Sequence, residues 1–211
     1  MKNKHLLSLL AVGFFVFLAL ASKVNKIHYG AFNYKNAVEE KSEKGDYLDL
    51  TNGTRVYGKN IQWKSGLLVK DVVKIDDQSF KFGEVKGLRM GDTYYGRLGK
   101  TFIQRIVHGK INVYVHMYQV TTTSTSSAGF VRTSSYTRTD HYAQKGEDGP
   151  LEVFAGQKDI KRLVADCPIA VQMADIGNGK MRKSIRKNRD YLNQIFEIYN
   201  NDCQPLSVNF Y

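Results

Sequence analysis

The sequence predicts an α+β protein, with an antiparallel β-rich meander or barrel-like domain followed by a C-terminal helical segment. Tyr, Phe, Val and Thr, which suit the pleated and half-buried surface of a sheet, are plentiful, and the chain has only 3 prolines. Turn signals separate short extended runs between residues 46 and 155. After Gly156 the apolar residues recur at helical spacing, so we expect helices over residues 156–204 and a tail at 205–211.

The N-terminus is predicted to be a secretory signal over residues 1–21, followed by a linker over residues 22–45. Lys2 and Lys4 precede an apolar run of 16 residues from Leu6 to Ala21, which ends in the small-residue sequence ALA. A membrane-spanning helix needs about 20 apolar residues, so an uncleaved anchor is the alternative and the only expected membrane contact. The sequence therefore predicts export to the periplasm or cell envelope.

The charge of the chain favours anionic partners outside the cytoplasm. Removing the signal leaves 29 basic and 20 acidic residues, a net charge of +9. In that compartment an anionic surface polymer or another envelope protein is a more natural partner than nucleic acid. The alternative is that the positive charge only keeps the protein soluble. We find no glycine-rich phosphate loop, zinc signature or dinucleotide fingerprint, and predict no cofactor or metal.

The β part begins with a hairpin around Asn52-Gly53. A two-residue loop would place Leu48 opposite Tyr57, whereas the three-residue loop 51–53 places it opposite Val56. The second register pairs apolar residues and puts Gly53 in the left-handed position, so we favour it. Later strands are predicted to break at Asp76-Asp77 and to turn near 99–100 and 109–110.

The strands around the turn at 109–110 are predicted to have two different faces. One face is apolar and forms the core: Phe102, Ile106, Ile111, Val113 and Val115. The other is mixed and aromatic, so we expect it to be partly covered or to bind a ligand: Ile103, Arg105, Val107, Asn112, Tyr114, His116 and Tyr118.

Residues 121–139 contain 12 Ser or Thr among 19 residues. This composition predicts the end of one strand, a mobile tip near Ser126 to Gly129 and a returning strand over about 133–144. Such a tip needs no function, although contact with a partner or glycan attachment is the alternative. A turn and a last strand follow in KGEDGPLEVF, which completes a β domain over residues 46–155.

The helical segment is predicted to contain three helices. The first ends before Pro168, the second is PIAVQMADI, and a break at 177–179 precedes a last helix over about 180–200. The apolar stripe of this last helix is Met181, Ile185, Leu192, Ile195, Phe196 and Tyr199.

Cys167 and Cys203 are the only cysteines, and they lie 36 residues apart near two predicted helix ends. An even number of cysteines in an exported protein indicates a disulfide, which would hold the last helix on the β part. Two free buried thiols are the alternative.

The strongest local charge feature is KMRKSIRKNR, a candidate ligand-binding stripe in the last helix. Its cations could hold phosphates, sulfates or uronic acids: Lys180, Arg182, Lys183, Arg186, Lys187 and Arg189. The alternative is a solvated helix face, although cations near a helix start oppose its dipole. We predict no catalytic residue; a hydrolase would require His116 or His141 to meet a carboxylate.

The whole chain resembles a loose group of uncharacterised exported proteins typical of Bacteroidetes-type bacteria. The signal and the stretches YLDLTNGTRVYGKNI, YAQKGEDGPLEVF, LVADCPIAVQ and LNQIFEIYNNDC carry this resemblance. It implies an envelope location and supplies no catalytic or binding residues. The leading hypothesis is an exported, non-catalytic envelope protein that acts by binding or assembly. The alternatives are a polyanion- or glycan-binding module that uses residues 180–189, and a hydrolase of envelope glycans or peptides.

Overall fold

A computed structural model describes residues 45–66, 69–188 and 190–203. The predicted signal, tail and nearly all of the linker lie outside the described residues, as does Arg189. None of the described helices is long and apolar enough to cross a membrane.

The fold is mainly antiparallel β-sheet with a C-terminal helical segment, as predicted. One sheet has eight strands in the order β11-β10-β9-β8-β7-β6-β1-β2, and a second has the order β3-β4-β5. Neighbours in sequence are mostly neighbours in the sheet, so the meander is confirmed, and the described strands form an unclosed sheet. The strands are β1 Tyr47–Leu50, β2 Arg55–Tyr57, β3 Ile61–Gly66, β4 Val69–Ile75, β5 Gln78–Phe80, β6 Val85–Met90, β7 Thr93–Leu98, β8 Thr101–Val107, β9 Ile111–Thr125, β10 Val131–Lys145 and β11 Glu152–Phe154.

The first hairpin has the favoured register. Leu48 pairs with Val56, and the loop contains Gly53 at a φ of +84°. The Asn52 side-chain oxygen accepts a hydrogen bond from the Thr54 N–H at 3.0 Å, which stabilises the turn. The breaks at 76–77, 99–100 and 109–110 are also present.

The predicted separation of faces in β8 is only partly correct. The pairing of β8 with β9 shifts register between Arg105 and Val107, so both Ile106 and Val107 pack in the core cluster that contains Val113. A bulge inserts an extra residue and locally breaks the alternation of a strand, which the period-2 pattern cannot anticipate. Part of the opposite face is also buried: Ile103 and Tyr114 pack with Tyr94 in a separate apolar cluster.

The returning strand is longer than predicted. β10 begins at Val131 rather than near Thr133, and it pairs with β9 along 15 residues. Residues 119–125 and 131–137, here called the ribbon, are almost entirely exposed. Hydroxyl groups link its two strands: Thr122 contacts Ser134 at 2.8 Å and Thr121 contacts Ser135 at 2.9 Å. Such cross-strand pairs stabilise a sheet, so the Ser residues extend the strands instead of ending them.

The helical segment contains four described helices, where three were predicted. They are α1 Gln157–Leu163, α2 Pro168–Ala174, α3 Asn178–Lys187 and α4 Tyr191–Asp202. The prediction of a single last helix was wrong, because the backbone of Asn188 is extended and separates α3 from α4. Its side-chain oxygen accepts from the Asp190 N–H at 3.0 Å, and its carbonyl accepts from the Tyr191 N–H at 3.0 Å. Asparagine competes with helical hydrogen bonding in this way.

The helices share one core with the sheet. Val113, Val115 and Ala143 from the sheet pack in the same buried cluster as Ile195 and Phe196 of α4. The whole predicted apolar stripe is buried or half-buried. The sulfurs of Cys167 and Cys203 are joined, with a Cα–Cα distance of 5.5 Å, so the predicted pairing is present. A buried disulfide is typical of proteins that mature in an oxidising compartment.

Asn200 fastens α4 to the turn between β8 and β9. Its side-chain oxygen accepts from the Ile111 N–H at 2.9 Å, and its amide donates to the carbonyls of Ile111 at 3.0 Å and His108 at 3.3 Å. A Cβ on Gly109 would lie 2.5 Å from Asn200 Cγ, so glycine permits this close approach. The side chain thus satisfies both backbone groups of the buried Ile111.

Asn200→Ala is expected to lower the free energy of unfolding by about 1–3 kcal/mol, because it leaves the backbone groups of Ile111 without partners. Urea denaturation measures this change. The control is Asn201→Ala, an exposed neighbour in the same helix, which should change stability by less than about 0.5 kcal/mol. Equal effects of both substitutions would contradict the role given to Asn200.

Cys167→Ala combined with Cys203→Ala is expected to lower the free energy of unfolding by about 2–4 kcal/mol. The reason is that the cross-link closes a loop of 36 residues and restricts the unfolded chain. Urea denaturation of the reduced wild type provides the comparison and should give a similar loss. A double variant as stable as the oxidised wild type would show that the bond contributes nothing.

Candidate ligand-binding site

Five cations of the predicted stripe lie on the outer side of α3. We call them the α3 basic face, and all five are exposed: Lys180, Arg182, Lys183, Arg186 and Lys187. The inner side of α3 carries Met181, which is buried, and Ile185, which is half-buried. The 3.6-residue period of the helix separates the two sides, so packing of Met181 turns the cations towards solvent.

No carboxylate neutralises the α3 basic face within the described part of the chain. The helix NGKMRKSIRK contains no acidic residue, and none of the five cations makes an ion pair with a described residue. Elsewhere some exposed cations have a carboxylate partner, such as Arg55 with Asp49, Lys100 with Asp71 and Arg162 with Glu152. Others, such as Lys59 and Lys74, also make no ion pair with a described residue, so what distinguishes α3 is that five unpaired cations lie together in one helix. The face is therefore a concentration of uncompensated positive charge.

Helix stability does not account for this charge. The N-terminal end of α3 has no acidic residue in its first turn and no side-chain cap on Gly177. A cation near this end interacts unfavourably with the helix dipole and lowers the stability of the helix by at most about 0.3–1 kcal/mol. Arg186 and Lys187 lie at the other end, where the interaction with the dipole is favourable. Lys180 thus lies in the first turn, where the helix dipole does not favour a cation, whereas Arg182 lies beyond that turn.

A cleft of about 200 Å³ lies between the edge of the sheet at β10 and β11 and the helices α1, α3 and α4. Its lining combines apolar and polar groups, and it includes Arg182, which also belongs to the α3 basic face. The apolar lining residues are Val153, Phe154, Ile160, Met181, Ile185 and Leu192, and the uncharged polar ones include Thr139, Gln157 and Asn178.

His141 also lines this cleft. Its ring lies 5.8 Å from the ring of Phe154, measured between centroids. Burial lowers the pKa of His141 and outweighs the opposing attraction of Asp140, so the imidazole is neutral at pH 7. A neutral imidazole offers one donor and one acceptor to a ligand.

Asp140 lies on the other face of β10, with His116 as its cross-strand partner. The carboxylate accepts hydrogen bonds from the Tyr118 hydroxyl at 2.8 Å and the Arg138 guanidinium at 3.0 Å. Burial favours the neutral acid, but these two hydrogen bonds outweigh it and lower the pKa of Asp140. Within the described contacts, neither His116 nor His141 is hydrogen-bonded to a carboxylate.

The structure describes no group of three His, Cys, Asp or Glu residues that could hold a metal ion. Comparisons with protein-family models, curated proteins and solved structures find no match to this chain. We therefore infer the function from the side chains themselves.

Sequence reasoning identified the α3 basic face but not the cleft. A run of cations within one helix is visible as a local pattern. The walls of the cleft come from β10, β11 and three helices, and residues such as His141 and Asn178 have no shared spacing. The one available signal was His141, which alternation places on the same face as Ala143 and hence towards the core.

The pKa of His141 predicts that stability falls in mild acid. Because the folded protein holds this pKa below the ordinary value of 6.5, the unfolded chain takes up the proton first. The stabilising contribution is complete above about pH 6.5 and is lost as the pH falls towards the lower folded pKa. His141→Phe removes this titration and should flatten the decline between about pH 7.5 and pH 5.

Urea denaturation at several pH values measures the effect. The control is Val131→Phe, which introduces the same aromatic side chain at an exposed position outside the cleft and removes no titratable group, so it should leave the decline unchanged. An identical pH dependence in wild type and His141→Phe would contradict the burial of a neutral imidazole.

Proposed function

We propose that this protein is exported to the cell envelope and binds an anionic polymer through the α3 basic face, without catalysis. The observation that carries the proposal is the absence of any described carboxylate partner for five exposed cations within one ten-residue helix. The buried disulfide supports maturation in an oxidising compartment. The signal-like N-terminus and the resemblance to exported proteins support the envelope location.

A polymer suits this arrangement better than a small anion. Seven residue steps separate Lys180 from Lys187, which corresponds to about 10 Å along a helix. One extended chain with repeated carboxylates, sulfates or phosphates can contact several of these cations together. The two arginines can form bidentate hydrogen bonds with such groups, while the lysines act as point charges.

Because the cations are exposed, we expect each of them to contribute little to the affinity for an anionic polymer. Each single contact is screened by salt and contributes little, so affinity depends on several contacts at once. Release of counterions from the polymer makes the binding strongly dependent on salt concentration, as it does for nucleic acids. The proposed function therefore predicts retention on an anionic matrix that ends at a defined salt concentration.

Chromatography on immobilised heparin, a sulfated polysaccharide, tests this. The variant Lys183→Glu, Arg186→Glu, Lys187→Glu reverses three charges of the α3 basic face and should elute at a much lower salt concentration than wild type. The slope of log affinity against log salt should fall by about two to three, since roughly one counterion is released per contact.

The control reverses three charges elsewhere: Lys59→Glu, Lys74→Glu and Lys81→Glu. These lysines are exposed on the β part, and the change in net charge is identical. This control should elute nearly as wild type does, and circular dichroism should show that both variants are folded. If the two triple variants elute alike, retention reflects net charge alone and the proposal is wrong.

A further inference from the structure

We infer that the cleft beside α3 binds one sugar ring that carries a carboxylate or sulfate, with the anionic group at Arg182. This inference rests on the proposed function and names the class of polymer as an acidic glycan. Arg182 provides the connection, because it belongs to the α3 basic face and also lines the cleft. A polymer that lies along α3 can therefore place one of its units in the cleft.

The volume of the cleft restricts the ligand to a single ring. Pockets for drug-sized ligands have about 300–1,000 Å³, so a cleft of about 200 Å³ is matched to one ring rather than to two linked rings. The remainder of a polymer would have to lie outside the cleft, where the α3 basic face is located.

The lining favours a sugar over a purely apolar group. Val153, which is exposed, and Ile185, which is half-buried, provide the accessible apolar surface of the cleft, of the kind that packs against the C–H groups of a sugar ring. Phe154 and Met181 lie behind them and are almost fully buried. Thr139 and Asn178 provide polar groups in the same cleft. The Asn178 side-chain oxygen accepts from the Gln157 N–H at 3.3 Å, and its NH₂ group donates to no described residue. Ring hydroxyls can accept from this amide, whereas an acyl chain would bury it unpaired at a cost.

Charge selects an acidic sugar over a neutral one. Arg138 and Asp140 both line the cleft and pair with each other at 3.0 Å, so their opposite charges largely compensate. Arg182 makes no ion pair with a described residue and can bind a carboxylate or sulfate through two parallel hydrogen bonds. The preference should therefore be for the charged ring, and it should depend on Arg182 in particular.

Methyl NMR of the full chain with labelled methionine tests the inference, with the Met181 signal assigned by Met181→Leu. The probes are glucuronate, glucose and octanoate. Glucuronate is expected to shift the Met181 signal in a saturable manner, and glucose should bind at least about tenfold more weakly because it lacks the charge. Octanoate should cause no saturable shift. A shift with octanoate but not glucuronate would overturn the inference and identify an acyl-binding cleft.

Substitutions at the mouth of the cleft provide matched variants. Val153 is 59% exposed and lines the cleft, so Val153→Trp should block entry without affecting the core. Val131→Trp is the control, since Val131 is 65% exposed on the ribbon. Glucuronate binding should be lost in the first variant and retained in the second. Equal binding in both, or no Met181 shift in wild type, would overturn the inference.

The two proposals fail in different ways. Arg182→Gln should weaken glucuronate binding at least about tenfold, because it removes the ion pair. The neutral triple variant Lys183→Gln, Arg186→Gln, Lys187→Gln should leave glucuronate binding within about twofold, because it removes exposed neighbouring charges without placing a carboxylate four residues from Arg182. Normal heparin retention together with no shift of the Met181 signal by glucuronate would refute only the sugar-binding site in the cleft. Heparin retention that is unaffected by the triple reversal would refute the proposed function.

Discussion

Burial of one face of β8, β9 and β10 under the helices is the constraint on which the rest of the structure depends. Val113 and Val115 present that face, and α4 covers it with Ile195 and Phe196. Apolar burial is the largest favourable contribution to folding, but it is not directional and does not by itself fix a helix in one position. Directional contacts are supplied by the disulfide at one end of the helical segment and by the Asn200 hydrogen bonds near the same helix end.

The same constraint explains why α3 can carry the binding residues. α4 buries five residues, whereas α3 buries only Met181. Because α4 and the disulfide hold the segment in place, the outer side of α3 is not needed for stability and can hold like charges. The shallow packing of α3 also leaves the space between it and the sheet edge that forms the cleft. Thus α4 contributes mainly to stability, whereas the adjacent α3 carries the proposed binding residues.

Local patterns were sufficient to predict much of this fold. The pairing of Leu48 with Val56 follows from alternation together with the left-handed preference of Gly53, and both signals lie within ten residues. The bulge next to Ile106 was not predictable, because it depends on the fit between two strands. The split of the last helix depends on the hydrogen bond that the Asn188 side chain accepts. A single asparagine within a helical apolar pattern is too weak a signal to predict such a break. The cleft depends on tertiary packing and has no local pattern.

The ribbon differs from the rest of the sheet because its residues are exposed on both faces and need not pack in a core. Thr or Ser faces Thr or Ser at its three central pairs, 121–123 with 133–135, and neither surface enters the core, so no buried apolar contact depends on the register of the ribbon. Elsewhere a shift of register would move apolar groups out of register with their neighbours. The body of the sheet therefore sets no fixed length for this arm, and a ribbon longer or shorter by two residues per strand would leave the packing of the body unchanged.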